Sequence, residues 1–519
     1  MRNNTLKRLP IGIQTYEKLV EQDCLYIDKT EYIYKMINYS NFVFLSRPRR
    51  FGKSLLVSTI QSYFEGKSDL FKGLYIDSVE KDWIDYPVLK FSMASAKHCS
   101  VEQLDCFLGN LLEREEKLWG IDKHKVYANE RLTDLILTAH EKTGKKVVVL
   151  IDEYDAPLLD VAYDDTMVSN MRQVMRNFYS PLKDCDPYLK FVFITGITKF
   201  SQMSIFSELN NLKNISMLPE FASICGITEE EVVTQMADYV DVFAEANGIK
   251  PEEAISQLRG HYDGYHFTWP SPDIFNPFSL FNALQDKRMK SYWFESGTPT
   301  FLIDKLKFFN VAPSMLKATK VLESAFDVPT ENIISIIPIL YQSGYYTIKD
   351  YDSLTGLYVL DIPNNEIRIG LMENLLPNYV NTDAYMGLTT VAEMYMAMAK
   401  DDIDEMLRLL QEYLLTIPHC DNTNYEGHYQ QLLYVIFSLF CRYVDVEVRT
   451  AKGRVDMVVK TAKKIYLFEL KLNKSAEVAM AQIDLKKYPD RFAGSGLPIV
   501  KIAVNFDSET RTIKDWIIN

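Results

Sequence analysis

The sequence contains few cysteines, and none of them belongs to a recognisable motif. The seven cysteines are an odd number, are widely scattered, and include no CxxC pair that would indicate a zinc site or a redox centre. This distribution is typical of reduced thiols in a reducing compartment. Long apolar runs are also missing, and the basic N-terminal residues lead into no apolar segment. We therefore expect a cytoplasmic protein that is neither exported nor inserted into a membrane.

What is present is an ordinary globular composition. The 519 residues are 47% hydrophobic and 24% charged, which is enough for two or three separate cores. A net charge of −13 disfavours nucleic-acid binding by the chain as a whole. The charge is uneven, however, because residues 424–519 hold 15 Lys and Arg against 11 Asp and Glu. This basic excess suits a polyanionic partner, and a solvated surface explains it equally well.

The order of apolar segments indicates an α/β fold. Up to about residue 225, apolar β-type runs alternate with longer helical stretches, a pattern typical of βα units around a parallel sheet. Thr228 and Glu231 then form a capping box that opens a helix. We predict four segments: a P-loop core (1–225), a helical lid (226–285), a helical connecting region (286–417) and a small α/β domain (418–519).

A phosphate-binding loop is indicated by FVFLSRPRRFGKSLL, an apolar strand and a turn followed by Gly-Lys-Ser at the start of a helix. A helix N-terminus presents unpaired N–H groups and a partial positive charge, so it can bind a triphosphate. Lys53 would contact the β- and γ-phosphates, and the Ser54 hydroxyl would contact Mg²⁺. The general motif has glycine where this chain has Arg47, so the match is incomplete.

An acidic motif follows about a hundred residues later in VVVLIDEYDAP. It is a buried strand that ends at Asp152 and Glu153, as in a Walker B motif, where Asp152 would hold Mg²⁺ and Glu153 would orient the attacking water. An acidic turn after a strand is the alternative. The two motifs in this order favour ATP binding, with ATP hydrolysis as the expected activity.

The predicted ATP-binding residues cover the whole loop and extend to the two following strand ends. They are Arg47, Pro48, Arg49, Arg50, Phe51, Gly52, Lys53, Ser54, Leu55, Asp152 and Thr198. The three arginines either contact phosphate or are surface charge. Thr195, Thr198 and Lys199 either sense the γ-phosphate or simply end a strand.

In the C-terminal part, GRVDMVVK places Asp456 in one strand, and IYLFELKL places Glu469 and Lys471 in the next. Residues two apart in a strand share a face, and a hairpin would bring Asp456 alongside them. Carboxylates this close repel each other unless a divalent cation lies between them. Asp456 and Glu469 would therefore hold Mg²⁺ or Mn²⁺, and Lys471 would position the nucleophile for phosphodiester hydrolysis. A solvated hairpin with cross-strand ion pairs is the alternative.

Five motifs together resemble a known family. LPIGIQTYEKLVEQDCLYIDKTEYIYKMI, RPRRFGKSLL, LIDEYDAP, TGITKFS and HYDGYHF occur in the order seen in the AAA-ATPase-like family, which is related to AAA+ and STAND-type P-loop ATPases. The resemblance covers residues 9–281. It implies that the RPRRFGKS form of the loop is usual, so that Arg47 is less anomalous than the general motif suggests. For residues 262–265 within HYDGYHF we favour a glycine turn braced by aromatic side chains.

Residues 425–506 resemble the PD-(D/E)xK nuclease domain that accompanies this ATPase. The order is a helix with Glu, a strand, a strand with Asp, a strand with ExK and a helix with Gln. The resemblance implies the active-site residues Glu426, Asp456, Glu469, Lys471 and Gln482. Glu426 would add a carboxylate near the metal, and Gln482 would brace the site.

The leading hypothesis is that ATP bound at Lys53, Ser54, Asp152 and Glu153 gates or drives a metal-dependent nuclease that acts on DNA, in defence against foreign DNA. One alternative is a nucleotide-switched protein whose C-terminal domain binds nucleic acid without cutting it. Another is an NTPase that acts on protein partners. AAA+ relatives form rings and resting STAND-type ATPases are monomeric, so an oligomer is compatible with the sequence.

Overall fold

The computed structural model describes residues 6–122, 125–161, 164–197, 209, 211–296, 300–326, 335–378, 384–415, 425–440, 443–450, 453–461 and 463–519. The chain divides into two compact units: unit 1 comprises Met1–Tyr292 and Ala318–Asn364, and unit 2 comprises Trp293–Lys317 and Asn365–Asn519. Within the described ranges, no helix combines the length and the apolar character needed to cross a membrane. The predicted α/β fold class is confirmed, whereas the boundaries of the four predicted segments stay predictions.

The α-helices, numbered in chain order, are α1 (Tyr16–Glu21), α2 (Thr30–Tyr39), α3 (Lys53–Phe64), α4 (Tyr75–Val79), α5 (Val101–Leu118), α6 (Ala128–Thr143), α7 (Ala156–Asp160), α8 (Asp165–Tyr179), α9 (Pro181–Asp184), α10 (Glu229–Gln235), α11 (Ala237–Asn247), α12 (Pro251–Tyr262), α13 (Pro277–Asp286), α14 (Thr300–Phe308), α15 (Glu323–Phe326), α16 (Ile337–Gln342), α17 (Asn365–Leu375), α18 (Ala384–Ala399), α19 (Ile403–Leu415), α20 (Tyr425–Phe440) and α21 (Ala476–Leu485). 

The strands are β1 (Phe42–Ser46), β2 (Val88–Ser92), β3 (Val147–Asp152), β4 (Leu189–Gly196), β5 (Lys213–Asn214), β6 (Ile227–Thr228), β7 (Ile274–Phe275), β8 (Thr319–Leu322), β9 (Thr347–Asp352), β10 (Leu357–Asp361), β11 (Tyr443–Thr450), β12 (Gly453–Lys460), β13 (Ile465–Leu472), β14 (Ile499–Asp507) and β15 (Thr512–Ile518).

Unit 1 is built on a five-stranded parallel sheet with the order β2-β3-β4-β1-β5. Its central strands are apolar because helices cover both faces, and every residue of β3 is buried. Parallel strands direct their carboxyl ends to one edge of the sheet, so the loop after β1 and the acidic residues at the end of β3 share that edge. The register confirms this, since Ser46 lies opposite Gly196 and Asp152 opposite Ser92.

Helices α5, α6 and α8 bury their apolar faces in the main core of unit 1. In α5, Leu104, Leu108 and Leu112 recur every four residues and are at most 1% exposed, because this spacing places them on one helix face. Ser100 caps the helix by accepting a hydrogen bond from the backbone N–H of Gln103. Each buried leucine contributes about 1.5–3 kcal/mol. This packing gives the parallel sheet a rigid base.

The helices α10 to α13 form a second core in unit 1 together with residues from the N-terminal motif. The predicted capping box at the start of α10 is confirmed: the Thr228 hydroxyl accepts from the N–H of Glu231, and the Glu231 carboxylate accepts from the N–H of Thr228. The same carboxylate accepts hydrogen bonds from Lys29 Nζ at 2.5 and 2.7 Å. One side chain thus caps a helix and attaches it to the N-terminal motif.

A three-stranded antiparallel sheet, with the order β8-β10-β9, was missed by the sequence analysis, which predicted only helices between residues 286 and 417. The reason is exposure: no residue of β8 is buried, so the strand lacks the apolar run that would have marked it. The Thr347 hydroxyl donates to the carbonyl of His266 and accepts from its N–H. This sheet is therefore attached to the HYDGYHF segment.

Unit 2 contains a five-stranded sheet with the order β11-β12-β13-β14-β15. The pair β13 and β14 is parallel and the other pairs are antiparallel. The predicted order of strands and helices is correct as far as β14, but β15 was missed. Helix α21 buries Ala479 and Ile483 in the core of this sheet. The strands β12 and β13 form the predicted hairpin.

Gly196, at the end of β4, is a position where no side chain fits. A Cβ atom there would lie 2.6 Å from the ring of Tyr154 and 2.6 Å from Asp155 Oδ1. We expect Gly196→Ala to lower the free energy of unfolding of unit 1 by about 1–3 kcal/mol. Chemical denaturation followed by circular dichroism measures this. In the control Gly109→Ala, the new methyl group would meet only the flexible tip of Arg131, and an equal loss in both variants would contradict the steric explanation.

Candidate functional site

The loop between β1 and α3, residues 47–52, turns sharply before the helix begins. Gly52 has φ +89°, a left-handed conformation that glycine adopts without strain. Its carbonyl accepts the first helical hydrogen bond, from the N–H of Leu56 at 3.0 Å. The preceding N–H groups of the first turn of α3 have no acceptor within the helix, which is the arrangement that binds phosphate.

The Lys53 side chain lies inside this loop. It is 6% exposed, and its Nζ donates to the carbonyls of Arg47 at 2.9 Å and Pro48 at 3.0 Å. Burial lowers the pKa of Lys53, and the nearby carboxylates of Asp155 and Asp152 oppose this shift. The predicted phosphate-binding lysine is thus a buried cation at the acidic edge of the sheet.

Three carboxylates form the acidic edge: Asp152, Glu153 and Asp155. Asp152 is 5% exposed, and its Oδ1 has no hydrogen-bond partner among the described residues. Glu153 has φ +50°, an unusual conformation for this residue type, and its pKa is raised by burial and then by Asp152. Asp155, for which the sequence predicted no role, accepts a hydrogen bond from the N–H of Ile197 at 3.0 Å. The third acidic residue of the LIDEYDAP motif is the sequence feature that could have indicated Asp155.

Arg47 has a structural role that the sequence analysis did not anticipate. The side chain is 1% exposed, and its two terminal nitrogens donate to the carbonyls of Ser46, Ser216 and Phe221 at 2.8–3.0 Å. Its guanidinium also lies 4.2 Å from the ring centroid of Phe267. Burial lowers the pKa of Arg47 to about 10. Arg47 therefore anchors the loop to distant backbone, and its contact with phosphate stays a prediction.

The HYDGYHF segment braces the loop with aromatic rings. Phe51 packs edge-on against Tyr265 and Phe267, with ring centroids 4.9 and 5.2 Å apart. Gly264 has φ +89°, and a Cβ atom there would lie 2.6 Å from the carbonyl oxygen of Pro363. The favoured interpretation, a glycine turn braced by aromatics, agrees with this geometry.

The other predicted loop residues occupy different environments. Pro48 is buried, Arg49 is exposed, and Arg50 donates to the carbonyl of Tyr292. The Thr195 hydroxyl donates to the carbonyl of Leu45 at 2.8 Å, so it joins two strands. Thr198 and Lys199 lie outside the described residues, and their predicted sensor role stays a prediction.

A cavity of about 530 Å³, part of it open to solvent, adjoins the loop. Its walls come from the N-terminal motif, the start of α3 and the segment before α10. The lining includes Tyr26, Ile27, Lys29, Gly52, Leu55, Thr59, Cys225, Ile227 and Phe281. It is mostly apolar with a few polar groups, which is typical of a site for a small organic ligand.

In unit 2, the hairpin of β12 and β13 brings the predicted cluster together. Met457 pairs with Phe468, so the next position along the register places Asp456 opposite Glu469. Asp456 Oδ2 accepts a hydrogen bond from the N–H of Leu470 at 2.8 Å. Lys471 Nζ donates to Glu469 Oε1 at 2.6 Å. The prediction that these three side chains converge agrees with the structure.

Burial and a neighbouring negative charge both disfavour the ionised carboxylate of Glu469. It is fully buried, and its Oε2 has no hydrogen-bond partner in the part of the chain that the structure describes. Burial and then the neighbouring Asp456 raise the pKa of Glu469 to about 7, and Lys471 opposes this. A divalent cation would relieve both penalties, so the donor set fits a metal.

Two further residues complete the surroundings of Glu469. Gln482, predicted to brace the site, helps to lower the pKa of Glu469, and its Nε2 donates to the Tyr488 hydroxyl at 3.2 Å. Tyr488 is 1% exposed, and the charges of both carboxylates act on it. Tyr488 could not be predicted from the sequence, because an isolated tyrosine after a helix belongs to no motif.

Glu426 lies in α20, one helical turn before Gln430, whose side chain donates to the carbonyl of Asp456 at 3.0 Å. The Glu426 side chain is outside what the structure describes, so its predicted role stays a prediction. Among the described residues, no group of three or more His, Cys, Asp or Glu side chains is arranged to hold a metal. Asp456 and Glu469 are therefore a pair in this part of the chain.

Two parts of the chain match known protein families. Residues 10–206 match a family model described as "Predicted AAA-ATPase", and residues 424–516 match the PD-(D/E)XK nuclease superfamily. The "Uncharacterized protein in vnfD 5'region" of Azotobacter chroococcum mcd 1 is 35% identical over 526 residues, with 99% of each chain covered. The chain belongs to the AAA-ATPase-like family. This AAA-ATPase-like protein carries its nuclease-superfamily domain at the C-terminal end of the matched sequence.

The anchoring by Arg47 leads to a prediction about the loop of this AAA-ATPase-like protein. Arg47→Gly restores the glycine of the general motif, yet we expect it to weaken ATP binding by about tenfold or more, because three hydrogen bonds that fix the loop are lost. Calorimetric titration with a non-hydrolysable ATP analogue measures the affinity. The matched variant Arg47→Lys keeps the charge without the fork of donors and should be intermediate. Unchanged or tighter binding in Arg47→Gly would refute the anchoring role.

A second prediction concerns pH and Asp263, whose carboxyl is 1% exposed with neither oxygen hydrogen-bonded to any described residue. Burial raises its pKa from 3.8 to about 7; the nearby backbone N–H of Gly264 and the charge of Lys349 oppose this shift, and Asp273 and Glu229 add to it. Asp263 is therefore protonated more readily in the folded protein than in the unfolded chain. The stability that this contributes is complete below the pKa of the unfolded chain and is lost as the pH rises through the folded-state pKa of about 7.

We therefore expect Asp263→Asn to flatten the decline in unfolding free energy between pH 4 and pH 7.5 and to stabilise unit 1 at the upper end by roughly a few kcal/mol. Urea denaturation at several pH values measures this. The control is Asp241→Asn, at an exposed position of α11, which should keep the wild-type pH dependence. If Asp263→Asn and wild type decline in parallel, Asp263 is not the titrating group.

Proposed function

We propose that this protein is an ATPase whose nucleotide state controls a metal-dependent nuclease acting on DNA. The observation that carries the nuclease half is Glu469, a fully buried carboxylate with an unpartnered oxygen beside Asp456 and Lys471. The ATPase half rests on Lys53, which is buried in a loop at a helix N-terminus, next to the acidic edge.

ATP would bind with its phosphates at the N-terminus of α3. Lys53 has two neutral carbonyl acceptors, and a phosphate offers it a charged one, which forms hydrogen bonds about twice as strong. The Asp152 oxygen without a described partner fits Mg²⁺, together with the Ser54 hydroxyl. Glu153, whose pKa is raised, would orient the water that attacks the γ-phosphate.

The base and ribose would occupy the cavity beside the loop. Gly52 and Leu55 line this cavity, and both directly precede or follow the residues assigned to phosphate. Its apolar walls and the polar groups of Tyr26, Lys29 and Thr59 suit a nucleoside. A cavity suited to a nucleoside directly beside the phosphate-binding loop supports ATP as the ligand.

At the second site, Asp456 and Glu469 would hold Mg²⁺ or Mn²⁺. The cation would supply charge stabilisation on the scissile phosphate and lower the pKa of a water. Lys471, whose Nζ lies 2.6 Å from Glu469 Oε1, would move towards the phosphate or the attacking water. Gln482, whose Nε2 donates to the Tyr488 hydroxyl and which helps to lower the pKa of Glu469, would brace the site. The basic excess of residues 424–519 supports a polyanionic substrate such as DNA.

The nuclease is tested by incubating purified full-length protein with plasmid and linear DNA, with ATP and Mg²⁺ or Mn²⁺. We expect Asp456→Ala, Glu469→Gln and Lys471→Ala each to reduce cleavage by at least about 100-fold. The control is Glu509→Ala, which removes an exposed carboxylate from the turn between β14 and β15. Absence of metal-dependent cleavage, with DNA binding that falls steeply with salt, would favour binding without cutting.

ATP binding is tested separately. Lys53→Ala removes the buried ammonium and should weaken binding of an ATP analogue by about 10- to 100-fold, and it should abolish ATP turnover. The role in defence against foreign DNA predicts that cells expressing the wild-type protein restrict phage plating, and that Lys53→Ala and Glu469→Gln cells do not. Equal plating by all three strains would reject that role.

A further inference from the structure

A second cavity in unit 1 adjoins the first two residues of the phosphate-binding loop, Arg47 and Pro48. It measures about 400 Å³, part of it open to solvent, and we call it the Arg47 cavity. Its other walls come from the end of β1, the residues after β4 and β5, the HYDGYHF segment, the end of α16 and the start of β9. It shares no described lining residue with the cavity beside Gly52 and Leu55. The two cavities are therefore separate.

Arg47 brings a positive charge to this cavity without a counter-ion in the described part of the chain. The side chain is 1% exposed, and its terminal nitrogens donate to three backbone carbonyls, which are neutral. The ring of Phe267 beneath the guanidinium carries no net charge either. The described lining of the cavity contains no Asp or Glu. The charge of Arg47 is thus buried and not neutralised by these residues.

Two neighbouring groups in the lining have a hydrogen to donate. Nε of Arg47 is buried and has no hydrogen-bond partner among the described residues. The Ser216 hydroxyl accepts from the N–H of Ser46 at 2.9 Å and from its hydroxyl at 3.1 Å, which leaves the proton of Ser216 for another acceptor. Because Arg47 Nη1 donates to the carbonyl of Ser216 at 2.8 Å, the two donors lie close together.

Both features favour an anion as the ligand of this cavity. An unpaired buried donor and an unneutralised buried charge are each costly, and a cation or an apolar ligand would relieve neither cost. Hydrogen bonds from a guanidinium to an oxyanion are about twice as strong as those between neutral groups. A space of about 400 Å³, shared with solvent, accommodates a small oxyanion such as inorganic phosphate.

We propose that the Arg47 cavity binds a small oxyanion through Nε of Arg47 and the hydroxyl of Ser216. The site is separate from the N-terminus of α3 and does not rest on the proposed ATP binding there. Free phosphate and a phosphate group of ATP share this chemistry. Lys53 Nζ donates to the carbonyls of Arg47 and Pro48, so an anion that fixes Arg47 also fixes the acceptors of the lysine assigned to ATP.

Calorimetric titration of the full-length protein with inorganic phosphate, at an ionic strength held constant with chloride, tests the site. We expect saturable binding in the wild type. Ser216→Ala should weaken it by about tenfold, the effect of one hydrogen bond to a charged group. Arg47→Met should abolish it, and circular dichroism checks that this variant folds. Ser216→Ala keeps the buried arginine, so it tests the site even if Arg47→Met does not fold.

The matched control is Ser58→Ala, which should bind phosphate as the wild type does. Like Ser216, Ser58 is 3% exposed, and its hydroxyl accepts a backbone N–H at 2.9 Å, from Tyr16. Ser58 does not line the Arg47 cavity. No phosphate binding by the wild type, binding that Ser216→Ala leaves unchanged, or an equal loss in Ser58→Ala would overturn the site.

A second titration, with a saturating non-hydrolysable ATP analogue present, identifies the source of the oxyanion. Phosphate that still binds, and still more weakly in Ser216→Ala, assigns the cavity to free phosphate. If the analogue displaces phosphate, weaker binding of the analogue by Ser216→Ala assigns the cavity to a phosphate group of ATP, and unchanged binding of the analogue assigns it to free phosphate. Failure of the analogue to bind would count against the proposed ATPase, whereas the first titration decides the anion site by itself.

Discussion

A buried positive charge is the constraint on which unit 1 depends. Lys53 is almost completely removed from water, where the charged form of lysine is disfavoured. Two loop carbonyls and the carboxylates at the end of β3 make the charge tolerable. These acceptors must stay in place, and that explains why Arg47 and Phe51 attach the loop to backbone and aromatic rings far away in sequence.

Unit 2 contains the opposite charge: its β-strands hold buried carboxylates rather than a buried lysine. The hairpin of β12 and β13 brings together the carboxylates of Asp456 and Glu469, and Lys471 lies beside them as a compensating cation. Buried like charges remain costly, so the site favours the arrival of a cation or a proton. In both units the β-strands fix the positions of the charged side chains, and the incompletely balanced charge favours binding of an oppositely charged ligand.

The main features of both sites could be predicted because they follow from local pattern. Apolar runs marked β1 and β3, and the two-residue spacing of Glu469 and Lys471 set their common face. The role of Arg47 could not be predicted, since its acceptors Ser216 and Phe221 lie 169 and 174 residues away. Strand β8 was missed because none of its residues is buried, and tertiary pairing rather than pattern makes it a strand.

The discontinuity of unit 1 has a consequence for synthesis on the ribosome. Residues 293–317 interrupt unit 1, and its last part, which contains β9, is translated after this interruption. The phosphate-binding loop is therefore synthesised long before β9. The hydrogen bond between His266 and Thr347 can form only after Thr347 has been translated, 81 residues later. Unit 1 is complete only when Asn364 has been translated, and Asp456 and Glu469 are translated after that. Vectorial translation thus completes the nucleotide-binding unit before the carboxylates of unit 2 are made.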